Sequence, residues 1–132
     1  MTALLLDTTF LVDTERDGID LDTLIGDDDD VAVAAITIAE LLVGVILATG
    51  KRRVARQAFV EEAISSIPIL AYDHAVAIEH AELLVAVRIA GRPRGGHDLI
   101  IAATARAARR TVVTIDAAAF SDLPGVAVRS HR

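Results

Sequence analysis

The sequence contains no cysteine. Disulfides, zinc–thiolate centres and thiol chemistry are therefore excluded. Aromatic residues make up only 3% of the chain. Stacking on Phe or Tyr rings thus cannot be a major source of affinity for nucleobases. Long apolar runs are also missing. The longest, "LLVGVILATG" from Leu41 to Gly50, falls well short of the roughly 20 residues that a membrane helix needs. The opening "MTALLLDTTF" has no basic stretch before its apolar run and meets an acid at Asp7. It does not read as a signal peptide, and the expectation is a cytoplasmic protein without a membrane partner.

Basic residues are scarce in the first part of the chain. Residues 1–50 hold eleven acids and one base, Arg16, a balance of −10, whereas residues 51–132 hold twelve bases and eight acids, a balance of +4. The net charge of −6 argues against nucleic acid as a partner, but this asymmetry places an acidic site beside a basic surface. The run Asp27 to Asp30 reads as a solvated loop rather than a metal site. With 132 residues, 53% of them apolar, the chain suits one domain around one sizeable core.

Several short apolar runs read as buried strands: "ALLLD" (Ala3 to Asp7), "VAVAAI" (Val31 to Ile36), "IPIL" (Ile67 to Leu70), "TVVTI" (Thr111 to Ile115) and "GVAVR" near the end. They are continuous rather than alternating, as in a sheet covered on both faces. Between them lie helical patterns. One or two fall between Thr8 and Gly26, with a break near Gly18. Another spans Thr37 to Gly50, with Gly50 as its stop, and the next spans Lys51 to Ile67. One follows Asp73 as its cap and closes at Gly91, and one spans Asp98 to Arg110. Strands alternating with helices predict an α/β fold with a central parallel sheet.

In such a sheet, ligands bind beyond the carboxyl ends of the strands. Asp7, Glu40, Asp98 and Asp116 all fall at such places. Each also has a plain structural reading, because acids are favoured in the first turn of a helix. Thr37 and Glu40 even match the S/T-x-x-E capping box. If the four converge, their carboxylates repel one another and raise one another's pKa, and a divalent cation relieves that. Oxygen ligands without sulfur or several histidines select Mg2+ or Mn2+. Such a site suits metal-assisted hydrolysis of a phosphate ester. His97 is either a proton carrier beside Asp98 or a solvent-facing or capping residue. Arg92 and Arg94 either hold phosphate or are solvated loop residues.

The stretches "LLLDTTFLVD", "TIAELLVGV", "GRPRGGHDLIIAATA" and "TVVTIDAAAFSDLPGVAV" resemble, in this order, the motifs of PIN-domain nucleases. The chain is most similar to the toxin half of VapBC toxin–antitoxin pairs. The resemblance covers nearly the whole chain and implies a three-layer α/β/α PIN-like domain over residues 1–132. It implies an endoribonuclease dependent on Mg2+ or Mn2+, in which water attacks an RNA phosphodiester. It also implies a homodimer held inactive by a cognate antitoxin. The family's acids map onto Asp7, Glu40, Asp98 and Asp116, as catalytic and metal-binding residues. Its hydroxyl residues map onto Thr9 and Thr114, which orient a carboxylate, a water or a phosphate, and the substrate is expected at the arginine-bearing rim of Arg92 and Arg94. One departure stands out: many relatives carry an acid or amide where this chain has Ala119, which implies a leaner metal site. Two alternatives stay open. One is a phosphoaspartyl phosphatase or receiver-like domain with Asp7 as nucleophile. It lacks a second aspartate at Thr9, and Lys51 is its only lysine. The other is a PIN-like module that binds without cutting.

Overall fold

The computed structural model describes residues 2–131, apart from the side chains of residues 22 and 24. Five strands form one sheet: β1 (Ala3–Leu6), β2 (Asp30–Ala34), β3 (Ile69–Leu70), β4 (Thr111–Thr114) and β5 (Val128–Ser130). Their order is β3-β2-β1-β4-β5, and every neighbouring pair is parallel. The helices are α1 (Thr8–Arg16), α2 (Leu21–Leu24), α3 (Ala35–Leu47), α4 (Gly50–Ser66), α5 (His74–Ala90) and α6 (Gly96–Ala108), with a short 3-10 turn at Ala117–Ala119.

The apolar strands are explained by what lies on each side of them. Leu4 and Leu6 point to one face, where they meet Phe10 and Leu11 of α1, Leu41 and Val45 of α3 and Val60 and Ala63 of α4. Leu5 points to the other and meets Val76 and Leu83 of α5 and Leu99, Ile101 and Ala102 of α6. Because successive residues of a strand face opposite ways, helices on both faces demand an unbroken apolar run. This is the three-layer α/β/α arrangement of the PIN fold. Each fully buried leucine of β1 contributes on the order of 1.5–3 kcal/mol relative to exposure.

Helix ends follow local chemistry where the sequence displayed it. The Asp73 carboxylate accepts the Val76 amide at 3.0 Å and caps α5. Gly91 closes that helix with φ 66°, a left-handed conformation that favours glycine. Gly18, also left-handed, separates α1 from α2. Gly50 differs from its expected role as a stop. α3 ends at Leu47 and Gly50 opens α4. No described helix is long and apolar enough to cross a membrane.

Candidate active site

The sheet order reverses at β1, with β2 and β3 on one side and β4 and β5 on the other. A crevice beyond the strand ends is the usual product of such a switch point. Asp7 follows β1 directly and is buried. Its carboxylate accepts the Phe10 amide at 2.8 Å, so it caps α1. The Thr9 hydroxyl lies 2.9 and 3.0 Å from its two oxygens. Burial pushes the Asp7 carboxyl above the ordinary carboxylate range; the Thr114 hydroxyl, Phe10 amide and Thr9 hydroxyl pull it down, and the Asp116 charge adds a further push upward.

Glu40 reaches the same edge from α3, by a route that differs from a capping box. The cap of α3 is Ala34, which makes no side-chain cap bond, and Thr37 sits inside the first turn. β2 passes straight into α3 without a loop, so the helix starts before the T-x-x-E pattern. Freed from capping, the Glu40 carboxylate accepts the Thr8 hydroxyl at 2.7 Å through Oε1. Its Oε2 lies 3.3 Å from His97 Nδ1. Thr8 in turn lies 3.2 Å from the hydroxyl of Thr37, which is fully buried. Helices α1, α3 and α6 are thereby tied together around one carboxylate.

Asp98 is the third residue of α6, half-buried, and forms no hydrogen bond among the described residues. Its carboxyl is also held above the ordinary range. Burial is the main cause, followed by repulsion from Asp7, Glu40 and Asp116, with His97 acting the other way. Asp116 is exposed just past β4. Its amide donates to Thr114 Oγ1 at 2.9 Å, and that oxygen is 3.2 Å from Thr9 Oγ1. Thr9 and Thr114 therefore form a hydroxyl bridge between Asp7 and Asp116. The four acids expected from the sequence lie at one edge, close enough to perturb one another.

The arginines are placed differently. Arg92 Nη1 lies 3.1 Å from Asp122 Oδ2, and Arg94 Nη2 donates to the Ser121 carbonyl at 2.7 Å. Both tie the loop before α6 to the loop after the 3-10 turn. Among the described residues neither bonds to any of the four acids. Ala119 packs against the core and supplies no ligand. Thr8 is the residue that sequence reading overlooked. Its neighbour Thr9 drew attention in the same "DTT" run, yet adjacent residues at the start of a helix point to different partners.

The donor set fits a hard divalent cation: four carboxylates with hydroxyls between them, two of the carboxyls raised in pKa. Among the described residues, no three His, Asp or Glu side chains are gathered tightly enough to hold a metal ion by themselves.

The family model described as "PIN domain" matches residues 4–126. By structure, the chain is similar to one in the crystal structure of VapBC2 from Rickettsia felis bound to a DNA fragment from their promoter. The TM-score is 0.89 at 23% identity, with 99% of this chain and 100% of that chain covered. It is also similar to a chain of VapBC-5 from Mycobacterium tuberculosis, a member of the VapBC family of toxin–antitoxin systems, with TM-score 0.80, 30% identity, and 98% and 99% covered. A third similar chain comes from DNA-bound VapBC of Salmonella typhimurium, with TM-score 0.84, 26% identity, and 98% of each chain covered. Compared by sequence with curated proteins, the chain matches none. On the match across residues 4–126 and these structural likenesses, the chain belongs to the PIN domain family and, within it, to the VapC type.

Proposed function

We propose that this chain is the toxin of a type II toxin–antitoxin pair, a single PIN domain acting in the cytoplasm as an endoribonuclease dependent on Mg2+ or Mn2+. The observation that carries the reading is the gathering of Asp7, Glu40, Asp98 and Asp116 at the carboxyl edge of the sheet, with Asp7 and Asp98 raised in pKa. Like charges left so close call for a cation. Asp7, Glu40, Asp98 and Asp116 would hold it, directly or through water. Bound there, a divalent cation would supply the positive charge that favours a phosphate and eases deprotonation of water.

The chain's own residues then have distinct tasks. Asp7 is fixed by the Phe10 amide and Thr9, so its carboxylate cannot rotate freely. Thr8 and His97 hold the two oxygens of Glu40. Thr9 is exposed and available to a phosphate oxygen or a water, whereas Thr114, expected to share that role, is fully buried and instead braces Thr9 and the Asp116 amide. Arg92 and Arg94 form the rim toward which RNA approaches, and their present partners Asp122 and Ser121 are exposed enough to be exchanged for phosphate. Hydrolysis adds water across one phosphodiester. A bond forms from the water oxygen to phosphorus, the bond to the leaving ribose oxygen breaks, and that oxygen takes up a proton.

The partners are RNA, a cognate antitoxin and a second copy of the chain. The similar VapBC structures support the antitoxin. Exposed Leu42, Val43, Ile46 and Leu47 form an apolar stripe along α3, which supports a protein–protein interface there. The phosphoaspartyl alternative lacks its lysine near the site: Lys51 is exposed in the first turn of α4. The test is incubation of the antitoxin-free protein with mixed RNAs. Cleavage is expected with Mg2+ or Mn2+ and not with chelator; intact RNA under every metal condition would refute the reading.

A further inference from the structure

Two glycines open α6 side by side, and they differ. Gly95 is the cap residue, with φ −60° and ψ 137°, a conformation open to any residue. Nothing in the backbone therefore requires glycine there. Capping would favour Ser, Thr, Asp or Asn instead. Space gives a different reason. A Cβ on Gly95 would lie 3.0 Å from Asp98 Oδ2 and 3.6 Å from its Cγ, and apart from its two chain neighbours no other residue comes within 4 Å. A Cβ on Gly96 would meet nothing within 4 Å.

The neighbour that would have to yield is therefore the Asp98 carboxylate alone. It has no hydrogen bond among the described residues to hold it in place. It already sits against the repulsion of Asp7, Glu40 and Asp116. A methyl group at position 95 would meet little resistance in moving it, and the helix would bear the modest cost of alanine in place of a cap glycine. That cost shows in the melt, whereas the displacement falls on where the carboxylate sits.

We propose that Gly95 is a positioning residue: its missing side chain is the space that lets the Asp98 carboxylate sit among Asp7, Glu40 and Asp116. The proposal rests on the reading that Asp98 serves a cation and an RNA phosphate. Gly96 supplies the control, because it adjoins Gly95 and has open space.

The experiment compares Gly95→Ala with Gly96→Ala in the full chain. Three readouts are taken: the Asp98 carboxyl resonance by carbon NMR, Mn2+ affinity by electron paramagnetic resonance, and kcat and KM for RNA cleavage. Thermal melts show whether each variant folds. Gly95→Ala is expected to shift the Asp98 resonance, weaken Mn2+ binding about 10-fold, as for residues that orient metal ligands, and lower kcat with KM little changed. Gly96→Ala is expected to match the parent in all three and to melt no lower. An unmoved Asp98 resonance in Gly95→Ala overturns the proposal, as do equal losses in both variants. If the parent neither binds Mn2+ nor cuts RNA while the resonance still shifts in Gly95→Ala alone, the placement of Asp98 stands and the nuclease reading falls.

Discussion

The two ends of the sheet handle charge in opposite ways. At the amino end, Arg110 is mostly buried and its charge is matched. Its Nη1 lies 3.2 Å from Asp30 Oδ1, and the guanidinium also donates to the carbonyls of Leu4 and Asp30. Nearby on the same side, Arg106 pairs with Glu79 and Glu82 and donates to the Pro124 carbonyl. At the carboxyl end, four acids share the company of threonine hydroxyls and a single exposed histidine. Arg106 and Arg110 thus meet acids directly, whereas Asp7, Glu40, Asp98 and Asp116 have no arginine or lysine bonded to them among the described residues, even with Arg92 and Arg94 in the loop before α6. Burying a charge without a partner costs stability; burial is the main reason the Asp7 and Asp98 carboxyls lie above the ordinary range, and repulsion from neighbouring acids adds to it.

Substitutions at the two ends should therefore separate activity from stability. The largest effect is expected from Asp98→Asn. It keeps the shape, removes one repelling charge and should lower RNA cleavage by at least about 100-fold, the scale seen when one preorganised polar group is lost from an active site. Its melting temperature at neutral pH should rise rather than fall. Initial rates and thermal melts check both, and near-parental cleavage would remove Asp98 from the site. Arg110→Ala should do the reverse. Loss of charged hydrogen bonds at the amino end should cost about 2 kcal/mol of stability, measured by urea unfolding, while the rate per folded molecule stays the same.

Smaller effects test the supporting groups. Thr8→Val removes the hydroxyl that holds Glu40 Oε1 and should weaken Mn2+ binding about 10-fold, with a loss of about 1 kcal/mol of stability because buried Thr37 loses the same partner. If Mn2+ affinity is unchanged, Glu40 is placed by something else. The pH dependence is subtler. In the unfolded chain both aspartates titrate near 3.8, and in the folded chain both titrate higher. The folded state thus binds their protons more tightly. Their cost is absent below the unfolded value and complete above the folded values, so lowering the pH through the folded values restores stability. Subtracting the pH–stability curve of Asp98→Asn from that of the parent isolates the share of Asp98. A difference that does not shrink as the pH falls would contradict its raised carboxyl.

Much of this contrast is legible in the sequence. The strands could be read because a sheet covered on both faces needs unbroken apolar runs, and Leu4, Leu5 and Leu6 supply one. Asp7 and Asp116 could be placed because they end two such runs. Asp73 and Gly91 delimit α5 by chemistry local to a few residues. What escaped depends on the third dimension or on exact helix starts. Thr37 and Glu40 matched a capping box in letters only, because β2 runs straight into α3 and the helix begins at Ala35. The partners of Arg92 and Arg94 lie 30 and 27 residues away. Thr8 was hidden beside Thr9, since spacing does not say which of two adjacent hydroxyls faces α3. Gly95 and Gly96 are equivalent as letters, and only the position of Asp98 tells them apart.

The most direct test is a titration of the antitoxin-free protein with Mn2+ at neutral pH, followed by electron paramagnetic resonance, for the parent and for Asp98→Asn. The signal of free Mn2+ should be suppressed by the parent, restored by excess Mg2+, and far less affected by Asp98→Asn. If free Mn2+ remains undiminished by the parent at millimolar protein, the acids at the carboxyl edge are not a cation site.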